Sequence, residues 1–335
     1  MMSLMGQCGR FWSPHLRADP SYGRTRRQRP PVMLGAGDAV PRGRECHRMT
    51  PRVEITYFTD PYCSWCWATE PMLYRIRETY REQVRIRYVM GGLVRDMADF
   101  YDSLNDIRTT AEVAPHWRMV SERSGQPIDE RLMEDITDPH FSTWPACIAV
   151  KAAQLQSEGI GEAYLRRLRR AALTERRIIS YPEVYRELAR EVPGLDLARF
   201  EGALQDGSAE RAFQADLAEC RQYGVTGFPT LLFAPAGRVL LPHAGEPILV
   251  VGHRSFATYR QVLRRIAPDL MEYEPRDPVA LLADYGPLTT REVAEILGRT
   301  VDEVRALLEK LAAHGQVESL PVRGGEFWKV RRSQS

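Results

Sequence analysis

The sequence has no apolar run close to the roughly 18 residues that a transmembrane helix requires. Near its start it also lacks the apolar segment of about 7–15 residues that a secretory signal contains. Its six cysteines are too few and too scattered across 335 residues to form a disulfide framework. These absences exclude a membrane bundle and a disulfide-stapled scaffold. We therefore expect a cytoplasmic protein with no membrane partner.

Lysine is almost absent, since only three of the 46 basic residues are Lys. The net charge of +2 is unevenly spread: residues 1–48 contain nine Arg and three Asp or Glu and carry +6, so the remainder carries −4. Residues 1–48 contain few aliphatic side chains, and we predict that they are disordered or that translation starts at Met49. A transit peptide or a basic arm for nucleic acid are the alternatives.

The first ordered segment has a strand–helix–strand pattern. The run VEITYF at 53–58 predicts a strand, a helix follows to about Tyr80, and Val84–Met90 predicts a second strand that stops at Gly91-Gly92. Cys66, Leu73, Ile76 and Tyr80 would share one face of the helix, and Pro71 should kink it.

The middle of the chain, from about 96 to 223, is predicted to be mostly helical. The clearest helices lie near 145–158, 161–175, 181–191 and 208–223. Strands are predicted at 230–233, 238–241 and 248–251, followed by a helix over 255–266.

The end of the chain follows a stretch rich in proline and charge at 268–278. Helices are predicted at 279–285, 289–297 and 301–313, and strands at 316–320 and 326–330. Three helices followed by a hairpin predict a small winged helix-turn-helix domain. Its third helix has two basic and three acidic residues, which is unfavourable toward phosphates, so a protein contact is favoured over DNA.

A Cys-x-x-Cys motif stands where the first strand meets its helix. The unpaired N–H groups and the positive dipole end of a helix stabilise a thiolate, which predicts Cys63 as nucleophile. Cys66, one turn later, would be the less accessible resolving thiol. Between them, Ser64 could hydrogen-bond a thiolate and Trp65 could contact a substrate.

Zinc binding is the main alternative use of two close cysteines, but it normally needs four ligands. Cys147 and Cys220 are isolated and are interpreted as small buried hydrophobes. His116 and His140 lack the spacing of metal ligands. No metal and no cofactor are therefore predicted.

A second motif, Gly-Phe-Pro-Thr, precedes the strand at 230–233. A cis-proline facing a Cys-x-x-Cys exposes neighbouring backbone groups to an extended substrate. Phe228, Pro229 and Thr230 are therefore predicted to bind substrate together with Trp65. Alone, the motif would indicate only a turn before a strand.

These motifs resemble the DsbA-like branch of the thioredoxin superfamily, in particular its FrnE-like and YjbH-like members, often labelled disulfide isomerases. The matching pieces are FTDPYCSWCW at 58–67, Gly91-Gly92 and GVTGFPT at 224–230. The resemblance implies an α/β thioredoxin-like fold at 53–267 with a helical insertion at about 96–223. A linker at 268–278 and the winged-helix-like domain at 279–332 would follow.

The resemblance also implies thiol–disulfide exchange, with Cys63 attacking, Cys66 resolving and substrate docking beside Pro229. Asp60, Pro61, Ser64 and Trp67 would shape the site. Protein or small-thiol disulfides would be the substrates, and residues 279–332 could contact a protein partner. The alternative implied by the YjbH-like members is an adaptor that delivers a substrate to the ClpXP protease and keeps the fold without the chemistry.

Overall fold

The computed structural model describes residues 51–102, 106–237 and 246–331. The N-terminal segment 1–48, Met49 and the strand predicted at 238–241 lie outside these ranges. No helix within them combines the length and the apolarity needed to cross a membrane.

The main sheet contains four described strands: β1 Val53–Thr59, β2 Val84–Met90, β3 Thr230–Pro235 and β4 Ile248–Val251. Their order is β2-β1-β3-β4, with β1 parallel to β2 and the other pairs antiparallel. Tyr57 on β1 is paired with Tyr88 and Leu231. β1 is buried almost throughout because it is central, which is why its sequence is a nearly continuous apolar run.

Helix α1, Ser64–Tyr80, connects β1 to β2, and α9, Phe256–Ile266, follows β4. The face predicted for α1 is confirmed, since Cys66, Leu73, Ile76 and Tyr80 are all buried. The helix continues as one element through Pro71. A short 3₁₀ turn, Arg81–Gln83, leads from α1 into β2.

The described part between β2 and β3 is helical, as predicted. It contains a 3₁₀ turn at Met97–Asp99 and the helices α2 Thr110–Ser124, α3 Leu132–Asp135, α4 Trp144–Gln154, α5 Glu158–Glu175, α6 Pro182–Ala189, α7 Leu197–Gln205 and α8 Ser208–Gln222. Four of these match the predicted helices. Helix α2 begins at a capping box of Thr109 and Glu112 and ends at Gly125, whose φ is 73°.

The C-terminal elements are α10 Pro278–Tyr285, β5 Leu288–Thr289, α11 Thr290–Leu297, α12 Val301–Ala313, β6 Val317–Val322 and β7 Gly325–Val330. The three strands form an antiparallel sheet in the order β5-β7-β6. The three helices and the hairpin match the prediction, whereas β5 is a two-residue strand that the sequence pattern does not reveal.

The described residues from 51 onward form one compact unit. The segment predicted as a linker lies along α1: the Tyr273 N–H donates to the Thr79 carbonyl at 2.8 Å, and Arg276 pairs with Glu78 at 2.6 Å. Helix α11 packs against α1. The C-terminal elements are therefore held on the same helix that begins with the Cys-x-x-Cys motif.

Candidate functional site

The two cysteines of the motif stand at the N-terminus of α1. Cys63 is the N-cap residue, and its Sγ accepts a hydrogen bond from the backbone N–H of Cys66 at 3.1 Å. Both are free thiols, and their exposed fractions are 5% for Cys63 and 0% for Cys66. The prediction that Cys66 is the less accessible thiol is therefore confirmed.

Electrostatics distinguish the two thiols. Burial raises the pKa of Cys63 well above that of an ordinary thiol. Burial also opposes ionisation at Cys66, but a hydrogen bond from Cys63 and the charge of Arg169 outweigh it and lower the pKa of Cys66. The sequence predicts the stabilised thiolate at Cys63. In the structure ionisation is favoured at Cys66 instead, where the charge of Arg169 from the helical insertion contributes.

Asp60 anchors the loop that leads into the motif. Its buried carboxylate accepts hydrogen bonds from the N–H groups of Tyr62 and Leu93 at 2.9 and 2.8 Å and from the Thr143 hydroxyl at 2.8 Å. Cys147 donates its thiol at 3.3 Å. Burial raises the pKa of Asp60 despite these donors. The carboxylate therefore ties the loop before α1 to the segment after β2 and to the start of α4.

A cleft of about 870 Å³ opens beside the motif. Cys63, Ser64 and Trp65 line one side of it, and apolar side chains of the helical insertion line the other, among them Phe100, Val113 and Met119. Pro61 is buried and does not line this space. An extended and mainly apolar ligand in the cleft could therefore reach Cys63.

The loop before β3 completes the cleft. The Phe228–Pro229 peptide bond is cis, as predicted, and Phe228 lines the cleft. A Cβ on Gly91 would lie 1.9 Å from the Phe228 ring, so only glycine permits this close approach. Pro229 is buried. Thr230, predicted to bind substrate, is also buried, and its hydroxyl donates to the Gly227 carbonyl at 2.8 Å.

Trp65 is packed by two histidines that sequence reasoning did not assign to the site. Its ring stacks on His253 with 5.6 Å between centroids, and His116 lies edge-on at 6.5 Å. The Nδ1 of His253 is 3.0 Å from the Thr69 hydroxyl. Burial lowers the pKa of both histidines. No sequence spacing signals them, because they come from α2 and from the segment after β4.

Trp67, predicted to shape the site, points away from the cleft. Its Nε1 donates to the Pro127 carbonyl at 3.0 Å, and its ring contacts Phe327 of β7. The Arg166 guanidinium lies 4.5 Å from the ring centroid. The indole is therefore a contact between the start of α1 and the C-terminal elements.

Arg166 belongs to a buried polar network at that contact. It donates to both carboxylate oxygens of the fully buried Glu292, at 2.7 and 2.8 Å. Gln126 links the same carboxylate, at 3.0 Å, to the Trp67 carbonyl, at 3.4 Å. The network ties α11 to the residue that follows Cys66.

The remaining described cysteines are buried, as predicted: Cys147 at 0% and Cys220 at 6% exposure. Burial raises the pKa of both thiols, that of Cys220 to about 12. Among the residues that the structure describes, no group of three His, Cys, Asp or Glu is arranged to hold a metal ion.

Comparison with known proteins finds similar sequences and a similar fold. The ClpXP adapter protein SpxH of Halalkalibacterium halodurans is 28% identical over 282 residues, which cover 83% of this chain and 88% of that protein. The ClpXP adapter protein SpxH of Bacillus subtilis is 27% identical over 83% of this chain and 89% of that protein. A solved structure of a candidate protein disulfide isomerase from Nitrosomonas europaea has the same fold, with a TM-score of 0.51 and 24% identity over 63% of this chain and 96% of that one.

The family assignment rests on the part of the chain that builds the sheet and the cleft. Residues 57–261 match the thioredoxin family. They include both cysteines of the motif, the helical insertion and the cis-proline. The chain is a DsbA-like member of the thioredoxin superfamily and belongs to this thioredoxin family.

Proposed function

We propose that this chain is a protein-binding adapter that delivers a partner to a ClpXP-type protease. The observation that carries the proposal is the extent of the similarity. The alignment with the SpxH adapter of H. halodurans spans 282 residues, more than the thioredoxin match at 57–261 can contain. The similarity to the adapters therefore extends beyond the thioredoxin-like part. We place the chain in the cytoplasm, where ClpXP acts on its substrates.

The C-terminal elements support a winged-helix-like module that contacts protein. The order helix, short strand, two helices and hairpin, with β5 paired to β7, is typical of that fold. Two parts of a winged helix that usually approach DNA are here in contact with other elements of the same chain. Helix α11 packs on α1, and the hairpin turn packs on Pro127, while Arg323 pairs with Glu130 at 3.2 Å.

The remaining surface of this module also disfavours DNA. The exposed side of α12 presents Asp302, Glu303 and Glu309 against Lys310. Arg305 is paired with Glu326 of the hairpin at 2.9 Å. Because phosphate binding depends on uncompensated basic side chains, we propose a protein partner for residues 279–332 rather than DNA.

Thiol–disulfide exchange is the second candidate function, and the geometry of the motif favours it. The Cys66 N–H donates to the Cys63 sulfur at a helix N-terminus, beside a cleft and a cis-proline. In this reaction the Cys63 thiolate attacks a protein or small-thiol disulfide, forms a mixed disulfide and expels one substrate thiolate. Cys66 then attacks the Cys63 sulfur and expels the second, so the substrate gains the two electrons that the pair loses.

Reconstituted proteolysis tests the adapter proposal. The partner is first identified in extracts of the source cell, with an inactive ClpP chamber that retains delivered proteins. It is a protein that the chamber retains when the chain is added and does not retain without the chain. Purified ClpXP should then degrade that partner severalfold faster when the full-length chain is present. Degradation at the same rate with and without the chain would refute the proposal.

Reduction of insulin disulfides tests the second candidate separately. The wild-type chain should catalyse the reaction with a dithiol as electron donor, and Cys63→Ser should not. Equal activity of the two proteins would show that the motif is not responsible.

A further inference from the structure

Strand β4 lies at one edge of the main sheet, and no strand among the described residues pairs with its outer side. All the residues of Ile248–Val251 are aliphatic, and the strand contains neither a charge nor a proline. Proteins usually protect an edge strand with a charge, a proline or a bulge, because its free backbone groups pair readily with another strand. An unprotected aliphatic edge is therefore typical of a pairing surface.

The hydrogen bonds of the sheet show which residues of β4 face outward. The Gly252 N–H donates to the Pro229 carbonyl at 2.8 Å, so the ladder between β3 and β4 extends to this pair. Residues of an antiparallel ladder bond inward and outward in alternation, and the even-numbered residues of β4 therefore bond inward to β3. The N–H and carbonyl groups of Leu249 and Val251 point to the outer edge.

The side chains of the same two residues are also exposed, Leu249 by 38% and Val251 by 54%. The strand register places them on the sheet face that contains Phe58 and Leu232. Phe58 and Leu232 are buried there in an apolar cluster with Cys220 of α8. Leu249 and Val251 continue this apolar face to the edge of the sheet, and neither residue lines the cleft.

The two ends of β4 carry opposite charges. Glu246 precedes the strand and is exposed, and the exposed Arg254 follows it. The Arg254 guanidinium lies beside Gly252, where a Cβ would be 3.4 Å from its Nη1, and it donates to the His253 carbonyl at 3.0 Å. Neither Glu246 nor Arg254 forms an ion pair with another residue in the part of the chain that the structure describes.

We propose that the β4 edge, defined as β4 with Glu246 and Arg254, is a surface on which a second copy of this chain pairs. Two β4 strands related by a twofold axis run antiparallel, so the start of each strand lies against the end of the other. With Leu249 of each copy opposite Val251 of the other, every outward backbone group of both strands is hydrogen-bonded. The same arrangement brings Glu246 of each copy toward Arg254 of the other.

The charges favour a second copy over an extended segment of a different protein. A strand that pairs antiparallel with β4 needs an acidic residue near Arg254, a basic residue near Glu246 and apolar residues between them. The segment EPILVVGHR at 246–254 has this pattern itself. Self-complementarity is what a twofold interface requires, because both subunits use the same patch. The inference is independent of the adapter and thiol-exchange functions proposed above.

Sedimentation equilibrium of the full-length chain, with reductant present, measures this association. The strand is short and the interface is correspondingly small, so we expect a weak dimer with a Kd of about 10–100 µM. The mass should rise from that of the monomer, 38.3 kDa, toward twice that value as the concentration increases. Val251→Lys should raise the Kd at least about tenfold, because a lysine on the edge opposes pairing. Val251→Thr is the matched control and should associate like the wild type.

Charge reversal tests the antiparallel arrangement. Glu246→Arg places like charges at both ends of the interface, and so does Arg254→Glu, so each variant alone should remain monomeric. A pair made of one copy of each variant has opposite charges at both ends. An equimolar mixture of the two variants should therefore associate like the wild type. Circular dichroism and thermal unfolding establish that each variant is folded.

Amide hydrogen exchange of the wild type, followed residue by residue, tests the edge without any substitution. The N–H groups of Leu249 and Val251 should become more protected as the protein concentration rises. The N–H of Val250, which is bonded to β3, is the internal control and should be equally protected at every concentration.

A wild-type chain that stays monomeric at about 300 µM, well above the expected Kd, would overturn the proposal and leave the edge to a different partner or segment. A dimer that forms equally well in a folded Val251→Lys chain would show that the interface lies elsewhere. The same conclusion would follow if the two charge variants, each folded, did not associate when mixed, or if protection of Leu249 and Val251 did not change with concentration.

Discussion

The indole of Trp67 lies 6.2 Å from the phenyl ring of Phe327, centroid to centroid, so the residue after Cys66 touches strand β7. The contact joins two parts that are far apart in the sequence, the motif at the start of α1 and the hairpin that follows α12. The C-terminal elements therefore support α1 directly, at its first turn.

Removal of the Phe327 ring should destabilise the whole unit. Phe327 is 1% exposed, and Phe327→Ala should lower the free energy of unfolding by about 3–5 kcal/mol, because the transfer and cavity terms add. Chemical denaturation measures this. Lys329→Ala on the same strand removes only a surface pair with Glu318 and should change stability by less than about 1 kcal/mol. Similar losses of unfolding free energy in the two variants would contradict a stabilising contact of Phe327.

Breaking the buried ion pair of Glu292 and Arg166 should lower the free energy of unfolding by a similar amount. Glu292→Gln leaves Arg166 with only the shared carboxylate of Glu70, and a broken buried pair costs about 3–5 kcal/mol. Glu303→Gln is the matched control, because Glu303 holds the same capping-box position on α12 but is exposed. It should cost less than about 1 kcal/mol. Equal melting temperatures for the two variants would show that the buried network contributes nothing.

Acidification should weaken the packing of Trp65. Burial holds the pKa of His253 below that of a free imidazole, about 6.5. As the pH falls through that value, the unfolded chain binds a proton that the folded chain refuses, so the free energy of unfolding falls. Denaturant unfolding at pH 7.5 and 5.5 measures the slope. His253→Gln should flatten it, whereas His140→Gln should not, because the hydrogen bond with Asp96 raises the pKa of that histidine. An unchanged slope in His253→Gln would exclude His253 as a source.

The cysteine motif and the cis-proline could be predicted from sequence because each is a local pattern with a local structural meaning. A strand followed by Cys-x-x-Cys places Cys63 at a helix N-terminus whatever the rest of the fold does. The alternating and helical spacing of apolar residues also predicts most of the strands and helices, including α12.

Arg169 and His253 could not be found in this way. Arg169 lies in the run LRRLRR at 165–170, where arginines at helical spacing usually face solvent. It is buried only because α5 packs behind the motif, 110 residues along the chain from Thr59. His253 meets Thr69 across 184 residues. Trp67 is predicted to shape the site and Thr230 to bind substrate because they lie next to the two motifs in the sequence, yet neither residue lines the cleft.

The adapter function and the enzyme function predict different consequences of replacing the Cys63 sulfur. Cys63→Ser keeps the shape of the cleft, removes the nucleophile and leaves the surface of α12 unchanged. Partner delivery should therefore survive the substitution, while insulin reduction should be lost.

The most direct test is the rate at which purified ClpXP degrades the captured partner, measured with no added chain, with the wild type and with Cys63→Ser. The adapter account predicts the same severalfold acceleration from both proteins. If neither protein changes the rate of degradation, while only the wild type reduces insulin, the adapter account is contradicted and the chain acts through its thiol pair alone.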